Sequence, residues 1–199
     1  MCICGIDEAG RGPVIGPMVM AMVCADSIDF YVNDSKLLTK HQRSLIFNDV
    51  SRLYNKYYII KPVEIDNAVK KHSLNLLEVN YALKLISEAE CEKIYIDCFD
   101  VNESRLENIL KMKSQKEIIC KHHADRDFKI VSAASIVAKF IRDLEIEKLK
   151  DIYGDFGSGY PSDPKTVKFI KDSLIENKNI DDIIRREWKT YKNLIQGHI

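Results

Sequence analysis

The chain has 199 residues, 46% of them hydrophobic and 30% charged, and this composition is typical of a globular protein with a substantial core. Its 30 basic and 30 acidic residues cancel, so only local basic clusters could bind nucleic acid. No apolar run is long enough to cross a bilayer, and no basic segment precedes the first apolar residues. We therefore expect neither a membrane span nor a secretory signal.

The hydrophobic pattern predicts strands first, helices interleaved with them, and a helical C-terminal part, which is an α/β sandwich with a helical appendage. The predicted strands cover residues 2–6, 14–25, 57–62, 94–98 and 116–122. The predicted helices cover residues 39–55 (capped by Thr39), 64–72, 74–90, 102–113, 132–150, a helix after the cap Asp163, and a last helix from Asp181.

The cysteines are scattered along the chain, at positions 2, 4, 24, 91, 98 and 120, and form no Cys-x-x-Cys pair. Cys2 and Cys4 alternate on one face of the first predicted strand and are too close in sequence for a zinc knuckle. We interpret the six cysteines as small buried side chains of a protein in a reducing compartment. This interpretation favours a cytoplasmic protein.

Two adjacent acids, Asp7 and Glu8, end the first predicted strand, and a turn rich in Gly10, Gly12 and Pro13 follows them. Two carboxylates at the end of a buried strand are costly unless a positive charge lies between them. A hard divalent cation would supply that charge. The alternative is a pair of exposed turn acids.

Two further acids follow predicted strands: Asp97 ends the strand at 94–98, and Asp125 comes shortly after the strand at 116–122. Ligands of α/β proteins bind where strand ends gather, and two divalent ions held by shared carboxylates catalyse attack on phosphodiesters. Asp100 and Asp127 are nearby alternatives. His122 and His123 are candidate ligands or proton relays, or they simply end the strand.

Several blocks together resemble the signature motifs of ribonuclease HII, and the resemblance runs from residue 5 to about residue 190. The blocks are residues 5–13 (GIDEAGRGP), 34–36 (DSK), 95–97 (YID), 132–139 (SAASIVAK) and, in an archaeal form, 155–163 (DFGSGYPSD). The resemblance implies a ribonuclease H-like α/β fold, a five-stranded mixed sheet flanked by helices. It further implies a catalytic domain at residues 1–150 and a C-terminal helical extension at residues 151–199.

The same resemblance implies an endoribonuclease that cuts the RNA strand of RNA/DNA hybrids and the 5′ side of single ribonucleotides in duplex DNA, leaving 3′-hydroxyl and 5′-phosphate ends. Four residues fall on the family's catalytic acids, which hold two divalent ions, Mg²⁺ or Mn²⁺. They are Asp7, Glu8, Asp97 and Asp125. Oxygen ligands accept either metal, so the sequence does not choose between them.

Gly10, Arg11 and Gly12 fall on the family's turn that senses the ribonucleotide, and glycine lets backbone groups approach a 2′-hydroxyl closely. Tyr160 corresponds to the family's tyrosine that stacks on the ribose. The alternatives are an ordinary tight turn with a solvated arginine, and a tyrosine that is only a buried anchor.

Four more residues match or neighbour phosphate-contacting positions: Ser35, Lys36, Lys139 and Arg142. Such donors position a duplex without reading its sequence, so we expect sequence-independent, salt-sensitive binding. Lys139 could instead pair with Asp143, four residues later on the same predicted helix.

Trp188 lies in a C-terminal block that resembles the family's, and we expect it to pack the last helix down. Gln196 is followed by only three residues, so we expect no sliding-clamp motif in this tail, and we expect a monomer. A non-catalytic nucleic-acid-binding protein on the same fold is the alternative function. A carboxylate-pair glycosidase would leave the Gly-Arg-Gly turn unexplained.

Overall fold

The structure, a computed structural model, describes residues 2–29 and 39–196. Its five strands form one mixed sheet in the order β3-β2-β1-β4-β5. Strand β1 pairs antiparallel with β2 and parallel with β4, and β4 pairs parallel with β5. The predicted five-stranded mixed sheet is therefore confirmed. The strands are β1 (Ile3–Ala9), β2 (Met18–Ala25), β3 (Tyr54–Ile60), β4 (Lys93–Asp97) and β5 (Glu117–Lys121).

Helices separate the strands and make up the C-terminal part of the chain. Thr39 caps α1 through a reciprocal capping box with Gln42, and Asp163 caps α7, which has a proline in its first turn, as the sequence predicts. The helices are α1 (Lys40–Val50), α2 (Pro62–Lys70), α3 (Leu74–Glu88), α4 (Glu103–Ser114), α5 (Ala124–Asp127), α6 (Lys129–Tyr153), α7 (Pro164–Ile175) and α8 (Lys189–Gln196).

The second strand is shorter than the predicted 14–25, because β2 begins only at Met18. Gly16 adopts a φ of +91°, a left-handed conformation that does not fit a regular strand, so regular strand pairing begins only after Pro17. Val14 and Ile15 instead donate backbone hydrogen bonds to the carbonyl of Gly159. These residues therefore belong to a loop assembly and not to the sheet.

The last helix begins at Lys189, and the predicted start at Asp181 is wrong. Residues 181–188 are mostly turns, and their backbone pairs elsewhere: Ile184 bridges Ile15, and the Arg185 amide donates to the carbonyl of Val14 at 2.8 Å. Backbone contacts with residues that are distant in sequence thus take the place of the helical hydrogen bonds that the apolar spacing predicts. The one-turn helix α5 was not predicted.

The cysteine interpretation also needs correction, because the structure pairs Cys2 with Cys91 and Cys4 with Cys24 as disulfides. Cys98 and Cys120 are free. The antiparallel register sets Cys4 opposite Cys24, a pairing that cannot be read from sequence spacing.

The chain divides into two compact units that are each discontinuous in sequence. The first comprises residues 1–9, 19–58 and 75–141, and the second comprises residues 10–18, 59–74 and 142–199. The second has its own apolar core, built around Ile15, Phe156 and Ile184.

No helix in the described ranges is long and apolar enough to cross a membrane. Ser35 and Lys36 lie outside the described residues.

Candidate active site

Asp7 and Asp97 lie side by side near the C-terminal ends of two parallel strands: Asp97 ends β4, whereas β1 continues two residues beyond Asp7, to Ala9, and is longer than the predicted strand 2–6. The register of β1 and β4 pairs Ile6 with Ile96, so the two aspartates occupy the next positions along their strands. Asp7 is only 5% exposed, and Asp97 is half-buried. The sheet topology therefore brings together the two acids that the sequence placed at strand ends.

The environment of Asp7 opposes its negative charge. Burial, and then the charge of Asp97, raise the pKa of Asp7 to about 7, although a hydrogen bond from Ser135 and the charge of Lys139 act in the opposite direction. A buried carboxyl whose ionisation is disfavoured by a neighbouring carboxylate is a good environment for a cation that prefers hard oxygen ligands.

Asp125 and Glu8 complete the predicted set of acids. Asp125 lies in α5 and is 3% exposed, and Glu8 follows Asp7 within β1 and is half-buried. A left-handed residue, His123, turns the chain into α5, so that the amide of Ala124 donates to the Asp97 carboxylate at 2.8 Å. In the part of the chain described, no three of the four acids bring ligand atoms within 4.8 Å of one another.

The two alternative acids are engaged elsewhere. Asp100 forms an ion pair with Arg105 and accepts a hydrogen bond from the amide of Asn102, which closes the start of α4. Asp127 is exposed and pairs with Lys121 at 2.7 Å. These contacts give both acids structural partners.

Ser135 is a residue of this site that the sequence analysis did not select. It is fully buried, it hydrogen-bonds Asp7, and its hydroxyl accepts from the Lys139 ammonium at 3.0 Å. The sequence feature that could have identified Ser135 is the run of small residues at the start of the predicted helix 132–150. Helix α6 packs so closely on β1 that a Cβ on Gly5 would collide with the backbone of Ile130.

The two histidines, His122 and His123, are exposed beside α5.

The Gly10–Gly12 turn is held through its carbonyl groups by the C-terminal segment. The guanidinium of Arg185, which has no solvent exposure, donates to the carbonyl oxygens of Gly10 at 2.6 Å and Arg11 at 2.9 Å. The indole of Trp188 donates to the carbonyl of Gly12 at 3.0 Å. Trp188 therefore contacts the turn directly and precedes α8, a more specific role than the expected packing of the last helix.

Arg142 lies against the same turn. A Cβ on Gly10 would overlap the Arg142 side chain, and the guanidinium lies 5.6 Å from the centre of the Tyr160 ring. Within the described residues its Nε and Nη2 atoms are buried without a hydrogen-bond partner. Burial lowers the pKa of Arg142. A buried guanidinium with free donors is suited to an anionic group such as a phosphate.

Tyr160 is 40% exposed and belongs to a loop whose neighbours are fixed by hydrogen bonds. The Gly159 amide donates to the Thr166 hydroxyl at 3.0 Å, and the Ser158 amide donates to the Asp163 carboxylate at 2.7 Å. Hydrogen bonds from the amide and hydroxyl of Ser158, and then from the amide of Lys165, lower the pKa of Asp163 to about 2. The Tyr160 ring therefore presents an accessible face on a constrained loop.

Comparison with known proteins gives consistent matches over almost the whole chain. The family model described as Ribonuclease HII matches residues 4–191. A ribonuclease HII of Picrophilus torridus is 78% identical over 199 residues, covering 100% of both chains, and one of Thermoplasma volcanium is 46% identical, covering 96% of this chain and 92% of its own.

Solved structures agree with this assignment. The crystal structure of ribonuclease H2 from Pyrococcus horikoshii OT3 has a TM-score of 0.90 at 39% identity and covers 99% of this chain and 98% of its own. A PCNA:RNase HII complex from Archaeoglobus fulgidus has a TM-score of 0.90 at 34% identity, with 96% coverage of each chain. The fold and these relatives thus define an endoribonuclease of the ribonuclease H class. The chain belongs to the ribonuclease HII family.

Proposed function

We propose that this protein cleaves the RNA strand of RNA/DNA hybrids and the 5′ side of single ribonucleotides in duplex DNA, leaving 3′-hydroxyl and 5′-phosphate ends. The observation that carries the proposal is the buried Asp7 carboxyl beside Asp97, in a chain of this family. A neighbouring carboxylate that raises the pKa of the buried Asp7 destabilises the charged pair, so cation binding explains the pair better than a structural role does.

Asp7, Glu8, Asp97 and Asp125 would hold two divalent ions, Mg²⁺ or Mn²⁺. The donor set fits, because all four groups offer hard carboxylate oxygens and because the charge of Asp97 already disfavours ionisation of Asp7. When bound, such ions supply Lewis-acid activation of water and stabilisation of the charge on the leaving oxygen.

The side chains around these acids would fix their geometry. The Ser135 hydroxyl orients the Asp7 carboxylate, and the Ala124 amide orients that of Asp97. Lys139 supplies a positive charge that offsets part of the repulsion between Asp7 and Asp97. We therefore assign Lys139 to this site and not only to an ion pair with Asp143. Oriented carboxylates bind cations without losing further side-chain freedom.

The Gly10-Arg11-Gly12 turn and Tyr160 would recognise the ribose. Gly12 leaves room for a sugar, because a Cβ there would meet only the edge of the Tyr160 ring at 3.6 Å. Arg185 and Trp188 hold the turn's carbonyls, so its backbone groups are positioned before substrate binds. A 2′-hydroxyl can then be recognised by backbone groups and an aromatic face.

Phosphate contacts would come from Arg142, whose buried guanidinium has free donors, from Lys139, and from Ser35 and Lys36. These contacts carry no base information, so binding should be independent of sequence and weakened by salt. We further propose a monomer of cytoplasmic location, with residues 151–199 as an extension of the catalytic domain. A non-catalytic binding protein is disfavoured because all four acids are present.

The test is cleavage of an end-labelled RNA/DNA hybrid by the wild-type chain and by Asp7→Asn, Asp97→Asn and Asp127→Asn, each with Mg²⁺, Mn²⁺ or chelator. We expect metal-dependent cutting that both site variants reduce at least about a thousandfold. Asp127→Asn is the matched control, because this exposed acid pairs only with Lys121 among the contacts described here, and it should retain activity. Full activity of Asp7→Asn would refute the proposed site. Hybrid binding without any cutting by the folded wild type would support the binding-only alternative.

A further inference from the structure

Four cysteines converge at the beginning of β1, in the first compact unit. Cys4 of β1 lies opposite Cys24 of β2, with their Cα atoms 4.1 Å apart. Cys2 precedes Cys4 by two residues and so lies on the same face. Cys91, just before β4, has its Cα 5.2 Å from that of Cys2. Strand pairing thus gathers thiol groups that are up to 89 residues apart.

The sulfur atoms are closer than two separate disulfides require. The Sγ atoms of Cys4, Cys24 and Cys91 all lie within 4.8 Å of one another, although Cys91 is bonded to Cys2 and not to the other two. All three side chains are buried. In a tetrahedral thiolate site with Zn–S bonds of about 2.3 Å, the sulfur atoms are separated by about 3.8 Å. The three sulfur atoms are thus gathered within a span that could adapt to such a site once the disulfide bonds are broken, and Cys2, the partner of Cys91, is the nearest fourth thiol.

We propose that Cys2, Cys4, Cys24 and Cys91, in their reduced form, bind one soft divalent cation of the Zn²⁺ type. Thiolate sulfur selects such ions, whereas the carboxylates at the other end of β1 select hard ones, so this is a second and chemically distinct metal site. Cys2 is the half-buried member and lies nearest to solvent, which gives an ion a route of entry.

The reduced form is reached with a dithiol reductant. Reduction of the two disulfides consumes four electrons and four protons, gives four thiols and converts two dithiols into cyclic disulfides. Zinc binding then releases the four thiol protons and leaves a centre of net charge −2. The Lys116 ammonium donates to the carbonyl oxygens of Ala89 and Cys91, and it provides a positive charge beside this centre.

The bound ion would stabilise the folded chain. It would join the start of β1 to β2 and to the segment before β4, the same connections that the two disulfides make in the oxidised chain. A metal that binds the native chain more tightly than the unfolded one raises the free energy of unfolding. The site would therefore stabilise the sheet without contacting substrate.

The test is a Co²⁺ titration of the full chain, reduced with excess dithiol and then desalted anaerobically without chelator. We expect thiolate-to-cobalt charge-transfer absorption and intense tetrahedral d–d bands that saturate at one thiolate-bound Co²⁺ per chain, apart from any Co²⁺ held by the acids, and that added Zn²⁺ abolishes. Oxygen ligands at the acid site give no thiolate charge transfer, so this signal reports the cysteines alone. Cys24→Ser and Cys91→Ser should each lose or greatly weaken the bands, and Cys120→Ala, which alters a free buried cysteine, should retain them.

Three outcomes would overturn the proposal. One is a reduced, folded chain without charge-transfer bands in which all six cysteines react as free thiols once unfolded. A second is retention of both disulfides through reduction, shown by peptide mapping, which would make them permanent structural links. The third is an unchanged cobalt spectrum in both serine variants. Because two independent variants are used, misfolding of either one leaves the other to decide.

Discussion

Arg185 and Gly10 are 175 positions apart in sequence, and the Nη2 atom of the one donates to the carbonyl oxygen of the other at 2.6 Å. The same guanidinium also reaches the carbonyl of Gly16, through Nε at 3.0 Å. One buried side chain thus fixes both ends of the loop from residue 10 to residue 16. This loop contains the proposed ribose-recognising turn, so the C-terminal segment contributes to its conformation.

Arg185→Met should lower the free energy of unfolding by about 2–4 kcal/mol, because carbonyl groups buried with the guanidinium lose their donors. Cleavage should fall at least about tenfold, since the turn loses its fixed position. Arg186→Met is the matched control: its exposed side chain pairs with Asp181, and its loss should cost less than about 1 kcal/mol. Urea unfolding and cleavage assays measure both effects. Equal losses in the two variants would contradict the account.

Asp7→Asn should make the metal-free protein more stable at pH 8 while abolishing cleavage. The folded-state pKa of Asp7, about 7, lies above its ordinary value of 3.8, so the folded chain binds more protons between these pH values. The contribution of Asp7 to the free energy of unfolding therefore falls as the pH rises through this window, and asparagine removes that fall.

Denaturant unfolding in chelator at pH 4.5 and pH 8 checks this pH dependence. The difference between Asp7→Asn and wild type should be larger at pH 8 than at pH 4.5. Asp127→Asn, at an exposed position, should show no comparable gain. A variant that is less stable than wild type at pH 8 would show that the Asp7 environment favours the charged form.

Gly10→Ala should destabilise the chain and abolish activity, because Gly10 has a φ of +84° and its Cβ would lie 2.8 Å from the Pro17 carbonyl oxygen. Gly154→Ala is a control with the same backbone cost, since Gly154 has a φ of +87° but no heavy atom of the residues described by the structure lies within 4 Å of its Cβ position. The difference between the two melting temperatures isolates the steric term. Equal losses would mean that the close approach at Gly10 is tolerated.

Gly12→Ala should separate function from stability. Its Cβ would meet only Tyr160 at 3.6 Å, an ordinary contact, so the melting temperature should change little. If the turn receives a ribose, the added methyl group should still raise KM or lower kcat by about tenfold or more. A fully active Gly12→Ala would place the ribose elsewhere.

Arg142→Met should weaken hybrid binding without loss of stability. Removal of a buried guanidinium with free donors relieves a desolvation cost, so the free energy of unfolding should stay the same or rise. If Arg142 binds a phosphate, the slope of log K against log salt should fall by about one. Arg52→Met, which removes an exposed arginine that pairs with Asp49, serves as the charge-matched control. An unchanged slope in Arg142→Met would argue against a phosphate contact.

Local patterns predicted most elements of the fold correctly. The caps at Thr39 and Asp163, the strand ending in Asp97 and the long helix after residue 132 depend on propensity and periodicity over short stretches. The start of α8 was wrong because Ile184 and Trp188 have helical spacing but pair with distant residues. Periodicity carries no information about such partners.

The same limit applies to the sites. The proximity of Asp7 and Asp97 could be predicted because each follows an apolar strand segment, whereas the contribution of Ser135 depends on how closely α6 approaches β1. The convergence of Cys24 and Cys91 on Cys4 depends on strand register, which sequence spacing does not encode. The carbonyl contacts of Arg185 likewise join segments that are distant in the chain.

The most direct test of the central proposal is cleavage of a DNA duplex that contains one ribonucleotide, with Mg²⁺, Mn²⁺ or chelator, beside an all-DNA duplex of the same sequence. We predict a single metal-dependent cut on the 5′ side of the ribonucleotide, leaving a 3′-hydroxyl and a 5′-phosphate, and no cut in the all-DNA duplex. Cutting of both duplexes, or no cutting by the folded protein with either metal, would contradict the proposed recognition of a ribose by the Gly10–Gly12 turn and Tyr160.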